Sequence, residues 1–118
     1  MKRLYGFLAL LTALAALSKE YAGRREASVL SVSTPPALPT ELSPREAFFA
    51  VRESVPLEKA AGRVAAEEVA FYPPGIPAIV PGEIVTPEVI DYLRETARIG
   101  LKVTGPHDPS LSTICVVK

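Results

Sequence analysis

The stretch from Tyr72 to Glu83, YPPGIPAIVPGE, constrains the fold more than any other part of the chain. Four prolines and two glycines fall within twelve residues, and the residues between them are apolar. Proline fixes φ and carries no backbone donor, so neither a helix nor a central strand can run through this stretch. A disordered linker would be polar, because a segment without apolar side chains has nothing to offset its ordering entropy. The pattern predicts a stiff, ordered loop. Pro73 and Pro74 are expected to hold an extended backbone, and Gly75 to supply a positive φ directly after them. Pro77 and Pro81 then flank a very short strand over Ala78, Ile79 and Val80, at a sheet edge or end. Such a loop, closed by Pro81 and Gly82, pre-orients Tyr72 and Glu83. Two readings stay open on these residues: a rigid connection between core elements, or a loop that presents groups to a neighbouring domain or ligand.

The remaining composition narrows the classes. The chain has 118 residues, enough for one domain with one modest core. Its 12 prolines are about twice the average usage of roughly 5%. An apolar content of 48% and a mean hydropathy of +0.24 argue against a disordered chain. A net charge of zero argues against a nucleic-acid binder. One cysteine excludes a disulfide framework and a cysteine-built zinc site. His107, the sole histidine, sits in the turn Gly105-Pro106-His107-Asp108-Pro109 and reads as a solvated loop residue. Cys115, in an apolar strand, reads as a buried thiol suited to a reducing cytosol.

The N-terminus has two readings. Lys2 and Arg3 precede an apolar run from Leu4 to Leu17, followed by Ser18, Lys19 and Glu20. That order mimics a secretory signal over residues 1–18, which would make this a small secreted protein. The run is short of the roughly 20 apolar residues a membrane span needs, so no membrane partner is expected. The other reading is a core helix over residues 1–22, with Leu4, Leu8, Leu11 and Ala15 on one face and Gly23 as its stop. The helix is apolar almost all round, which suits burial on several sides or self-association. Residues 23–40 read as a proline-rich connector, with a possible short strand over Val29–Val32.

Residues 41–118 carry the regular signals. Glu46–Val51 is short, aromatic and apolar, and reads as a strand. Ser54 and Pro56 open a helix with an apolar stripe of Leu57, Ala60, Ala61, Val64 and Ala65, Gly62 lying in its middle. Glu67 and Glu68 fall on its outer face. Val69–Tyr72 reads as a strand. Thr86 caps a further helix, with Pro87 at its first position and Val89, Ile90, Leu93 and Ala97 buried. Asp91 with Arg94 and Glu95 with Arg98 are spaced for ion pairs on its outer side. Strands follow over Leu101–Thr104 and Thr113–Val117. The fold class expected is α+β: a small sheet packed with two to three helices, preceded by the N-terminal helix and the connector.

Four motifs in fixed order carry a resemblance: LSPREAFF (Leu42–Phe49), VPLEKAAGRVAAEEV (Val55–Val69), YPPGIPAIVPGE (Tyr72–Glu83) and TPEVIDYL (Thr86–Leu93). With the final strand after a Gly-Pro and Asp-Pro turn, the chain resembles the C-terminal domain of the bacterial ornithine/lysine/arginine decarboxylases. The resemblance covers most of residues 41–118 and extends more loosely to 1–22. It implies a domain beside the active-site entrance of an aminotransferase-type enzyme that uses pyridoxal phosphate. In that family the cofactor forms a Schiff base with a lysine of a large central domain, whose serine-x-histidine-lysine motif is not found in these residues. Lys2, Lys19, Lys59, Lys102 and Lys118 lie in no such setting.

The resemblance therefore implies no cofactor and no catalytic residue in this chain, with pyridoxal phosphate belonging to the complete cytoplasmic enzyme. Its expected partners are a decarboxylase catalytic domain, a second copy of itself, or both. The substrate would be a basic amino acid, arginine before lysine and lysine before ornithine. A desolvated cationic group needs a carboxylate, and Glu83 is the candidate, with Tyr72 lining the same channel. The alternatives for Glu83 are a turn cap or an ion pair with Arg45. The alternative for the whole chain is a non-catalytic interaction module.

Overall fold

The computed structural model describes residues 1–22 and 32–118, and the expected Val29–Val32 strand lies almost wholly outside them. The chain divides into two compact units, Met1–Ser31 and Val32–Lys118. Residues 32–40 of the proline-rich connector thus belong to the second unit.

The first unit holds helix α1, Lys2–Tyr21. Leu and Ala dominate its sequence and are strong helix formers, which outweighs the cost of the single interior Gly6. None of its residues is buried, and Leu4, Tyr5, Phe7, Leu8, Leu10, Leu11, Leu14 and Leu17 are all exposed. No helix among the described residues is long and apolar enough to cross a membrane.

The second unit is α+β, built on two small antiparallel sheets. Its elements are α2 (Pro44–Phe49), β1 (Arg52–Pro56), a single 3₁₀ turn (Leu57–Lys59), β2 (Val69–Tyr72), β3 (Ile76–Ile79), α3 (Pro87–Arg98), β4 (Lys102–Thr104) and β5 (Thr113–Val117). One sheet pairs β1 with β5, and the other has the order β3-β2-β4. Ile79, Leu93, Ile114, Val69, Val85, Val89 and Val116 are the largest side chains wholly inside. Each is worth about 1.5–3 kcal/mol relative to exposure, which makes this compact set the main stabilising term.

Two elements depart from the sequence expectation. Glu46–Val51 is not a strand. Ser43 accepts from the Glu46 N–H while the Glu46 carboxylate accepts from the Ser43 N–H, a reciprocal capping box that starts α2, with Pro44 in its first turn. The helix expected after Pro56 stops after one 3₁₀ turn. Gly62 takes φ +82°, and beyond it Val64 and Ala65 bridge to Ile84 and Val116. Leu57, Ala60 and Ala65 are buried as the stripe suggested, but Ala61 is exposed and Val64 half-buried.

α3 follows its reading closely. The Thr86 hydroxyl accepts from the Val89 N–H, and Val89, Ile90, Tyr92, Leu93 and Thr96 face inward, whereas Ala97 is exposed. Phe71 of β2 meets Tyr92 edge to face at 6.3 Å, which ties the helix to the three-stranded sheet. Arg94 reaches Glu58 at 2.7 Å, not Asp91, so the helix is also pinned to the 3₁₀ turn.

Candidate functional site

The proline-glycine segment is an ordered hairpin and turn. Pro73, Pro74 and Gly75 form the turn between β2 and β3, not the extended run expected, and both proline peptide bonds there are cis. Gly75 has φ +88° and donates its N–H to the Phe71 carbonyl at 2.8 Å, the left-handed geometry expected at that position. Pro77 lies in β3, an edge strand, the kind of position where proline is tolerated.

The second turn, Val80–Glu83, is locked at Gly82. Its N–H donates to Ala65, and its carbonyl accepts from both Glu41 and Leu42. At φ +97° a Cβ on Gly82 would land on the Leu42 carbonyl oxygen. Only glycine fits there.

Glu83 is half-buried. Its Oε2 accepts from the Val80 N–H at 2.8 Å, and its backbone bridges to Thr40. The other carboxylate oxygen has no hydrogen-bond partner among the described residues. Arg45 does not approach Glu83; it lies over the Phe49 ring at 5.9 Å. Tyr72 is 59% exposed and paired in register with Lys102. It sits at the turn end of the β2–β3 hairpin, while Glu83 follows the opposite end, where Val69 pairs with Ile79. The two are therefore not brought together within this chain.

Two clefts flank the segment. An apolar one of 230 Å³ is walled by Phe71, Pro73, Pro74, Ile76, Tyr92 and residues 32–35. A second one of 410 Å³, with charged side chains in its wall, is bounded by Phe48, Arg52, Glu67, Glu68, Pro81 and His107.

Glu67, read from sequence as an outward-facing helical residue, holds the second cleft together. Its Oε1 accepts from the Cys115 N–H at 2.8 Å and its Oε2 from the His107 N–H at 2.9 Å. No spacing in the sequence signals this, because the three residues lie on separate segments. Cys115 is only half-buried; partial burial, then the Glu67 carboxylate, raise its thiol pKa. Asp108 gathers the Ser110 hydroxyl and the Thr113 N–H, which lower its pKa to about 2.

Residues 30–107 match the model of the Orn/Lys/Arg decarboxylase C-terminal domain. The chain belongs to that family. As a decarboxylase C-terminal domain it is 46% identical over 93 residues to an arginine decarboxylase of Halalkalibacterium halodurans, covering 79% of this chain and 19% of that protein. It is 42% identical over 110 residues to an arginine decarboxylase of Bacillus anthracis, covering 92% and 22%. Among solved structures it is similar to the Francisella novicida lysine decarboxylase, with a TM-score of 0.59 and 28% identity over 70% of this chain and 14% of that one. The chain thus spans about a fifth of the length of the curated relatives it matches.

The family implies pyridoxal phosphate, and the residues present do not fit that group. A Schiff-base lysine must be desolvated to react as an amine at neutral pH. Lys2, Lys19, Lys59, Lys102 and Lys118 are all exposed, and neither cleft described above has a lysine in its wall.

Proposed function

We propose that this chain serves as the C-terminal domain of a cytoplasmic basic amino-acid decarboxylase, with arginine as the preferred substrate. Its role is to help wall the substrate channel and to support subunit assembly, while bond breaking belongs to the pyridoxal-phosphate domain of the whole enzyme. The observation that carries this reading is the family match over residues 30–107, joined to arginine decarboxylases among the relatives. The built turn around Gly82 supports a presenting role for Glu83. Its backbone is fixed by hydrogen bonds to Ala65, Glu41 and Leu42, and one carboxylate oxygen is left for a cationic group.

The test separates charge from turn capping. The matching segment of the Halalkalibacterium halodurans arginine decarboxylase is replaced by this chain, and Glu83→Gln and Glu83→Ala are made in that chimaera. Glutamine keeps a carbonyl for the Val80 N–H and removes the charge; alanine removes both. The channel role predicts that Glu83→Gln raises KM for arginine about tenfold or more, at an unchanged melting temperature. A neutral Glu83→Gln beside a destabilised Glu83→Ala would reduce Glu83 to a turn cap.

A further inference from the structure

Phe48, Phe49 and Val51 form an apolar patch that the second unit leaves open. They are 53%, 75% and 73% exposed. The capping box turns α2 so that Ala47 is buried and the two rings point outward, in an edge-to-face pair at 5.2 Å. Arg45 lies over one ring and Arg52 over the other, at 5.9 Å and 5.6 Å. Aromatic side chains with arginines, in one compact cluster, are the composition of an interface centre, not of a free surface. The patch runs on into the 410 Å³ cleft, which shares Phe48 and Arg52 and carries the exposed Glu68 on its wall.

We infer that this aromatic–arginine patch is the face on which the remaining four-fifths of a decarboxylase docks. The inference rests on the functional reading above. What selects that occupant is length: relatives matched over 79% and 92% of this chain extend it to only 19% and 22% of themselves. A domain that small within such a chain must cover part of its surface with the rest. The partner surface has a definite chemistry: an apolar hollow for Phe49 and Val51, carboxylates at its rim for Arg45 and Arg52, and a basic side chain for Glu68 in the cleft.

A thiol footprint tests the assignment. Val51→Cys is combined with Cys115→Ser, both in the intact 118-residue chain and in the arginine decarboxylase chimaera, and maleimide labelling rates are compared. In the free chain the thiol labels at the rate of an exposed cysteine, independent of protein concentration. In an active chimaera it labels at least tenfold more slowly. The pair Phe49→Asp and Val51→Asp leaves the melting temperature of the free chain unchanged and lowers that of the chimaera.

Equal labelling in free chain and active chimaera overturns the docking face and leaves the functional reading standing. Protection already present in the free chain, whether by α1 or by a second copy, also overturns it. A chimaera that is soluble but inactive with the natural patch overturns the functional reading and the docking face with it.

Discussion

Gly82→Ala is the most informative single change. At φ +97° an L-residue costs about 1–2 kcal/mol on conformation alone. The new Cβ also meets the Leu42 carbonyl, which is backbone and cannot rotate away. Forcing an atom into such a place costs a further ~1–3 kcal/mol. The alternative relief is to move the turn, which gives up the hydrogen bonds from Gly82 to Ala65 and from Glu41 and Leu42 to Gly82, each worth about 1 kcal/mol. Both routes lead to a loss of about 2–5 kcal/mol, a large share of the ~5–15 kcal/mol of an ordinary domain. Gly62→Ala is the matched control. It has φ +82° but nothing within 4 Å of a new Cβ, so it should lose only about 1–2 kcal/mol. Urea unfolding of the intact chain, followed by circular dichroism, reads both. Equal losses would refute the close-approach argument and leave only the backbone conformation.

Further changes probe the larger cleft and the last turn. Glu67→Ala leaves the Cys115 and His107 N–H groups without their acceptor and should cost about 1–3 kcal/mol in urea unfolding. Glu67→Gln keeps an acceptor but removes a charge that raises the Cys115 thiol, so the pH profile of Cys115 labelling should move to lower pH. An unmoved profile would leave burial as the whole cause. Asp108 is held at about 2 when folded against an ordinary 3.8, so its contribution is present above about pH 3.8 and is lost as pH falls through 2. Asp108→Asn should therefore weaken the chain at pH 5 and flatten the fall of its urea midpoint between pH 4 and 2; a fall of unchanged steepness would reject this.

The two misread elements show where sequence pattern fails here. PREAFF is apolar and aromatic enough to pass for a strand, but Ser43 and Glu46 are spaced as a capping box, and that local signal decides the element. Residues 57–65 have the burial stripe of a helix, and Leu57, Ala60 and Ala65 are indeed inside. Burial does not fix the element type, however. Gly62 lets the chain turn left-handed, and the backbone finds partners outside a helix: the Val64 carbonyl accepts from Val117 of β5, and Ala65 pairs with Glu83 and Gly82 of the turn. α3 was legible because cap, proline and stripe all agreed. At the candidate site, Gly82 and Glu83 were visible because proline and glycine mark backbone geometry in sequence. Glu67 was invisible because its partners, His107 and Cys115, lie about 40 and 48 residues away along the chain.

The end of the connector has a practical consequence for anyone who cuts or grafts this domain. The Pro39 carbonyl takes the Ile84 N–H, Thr40 bridges to Glu83, and Glu41 and Leu42 hold Gly82. Residues 39–42 are thus a splint laid along the Pro-Gly-Glu turn. A fragment started at residue 41 would keep every motif of the family and lose half of that splint. Glu41 and Leu42 would still hold Gly82, but Glu83 and Ile84 would lose their partners Thr40 and Pro39. A boundary at Val32 keeps it whole, and it also keeps residues 32–35 along the apolar cleft and Leu38 against the core, so a pull on the connector would have to strip those contacts before it reached the turn.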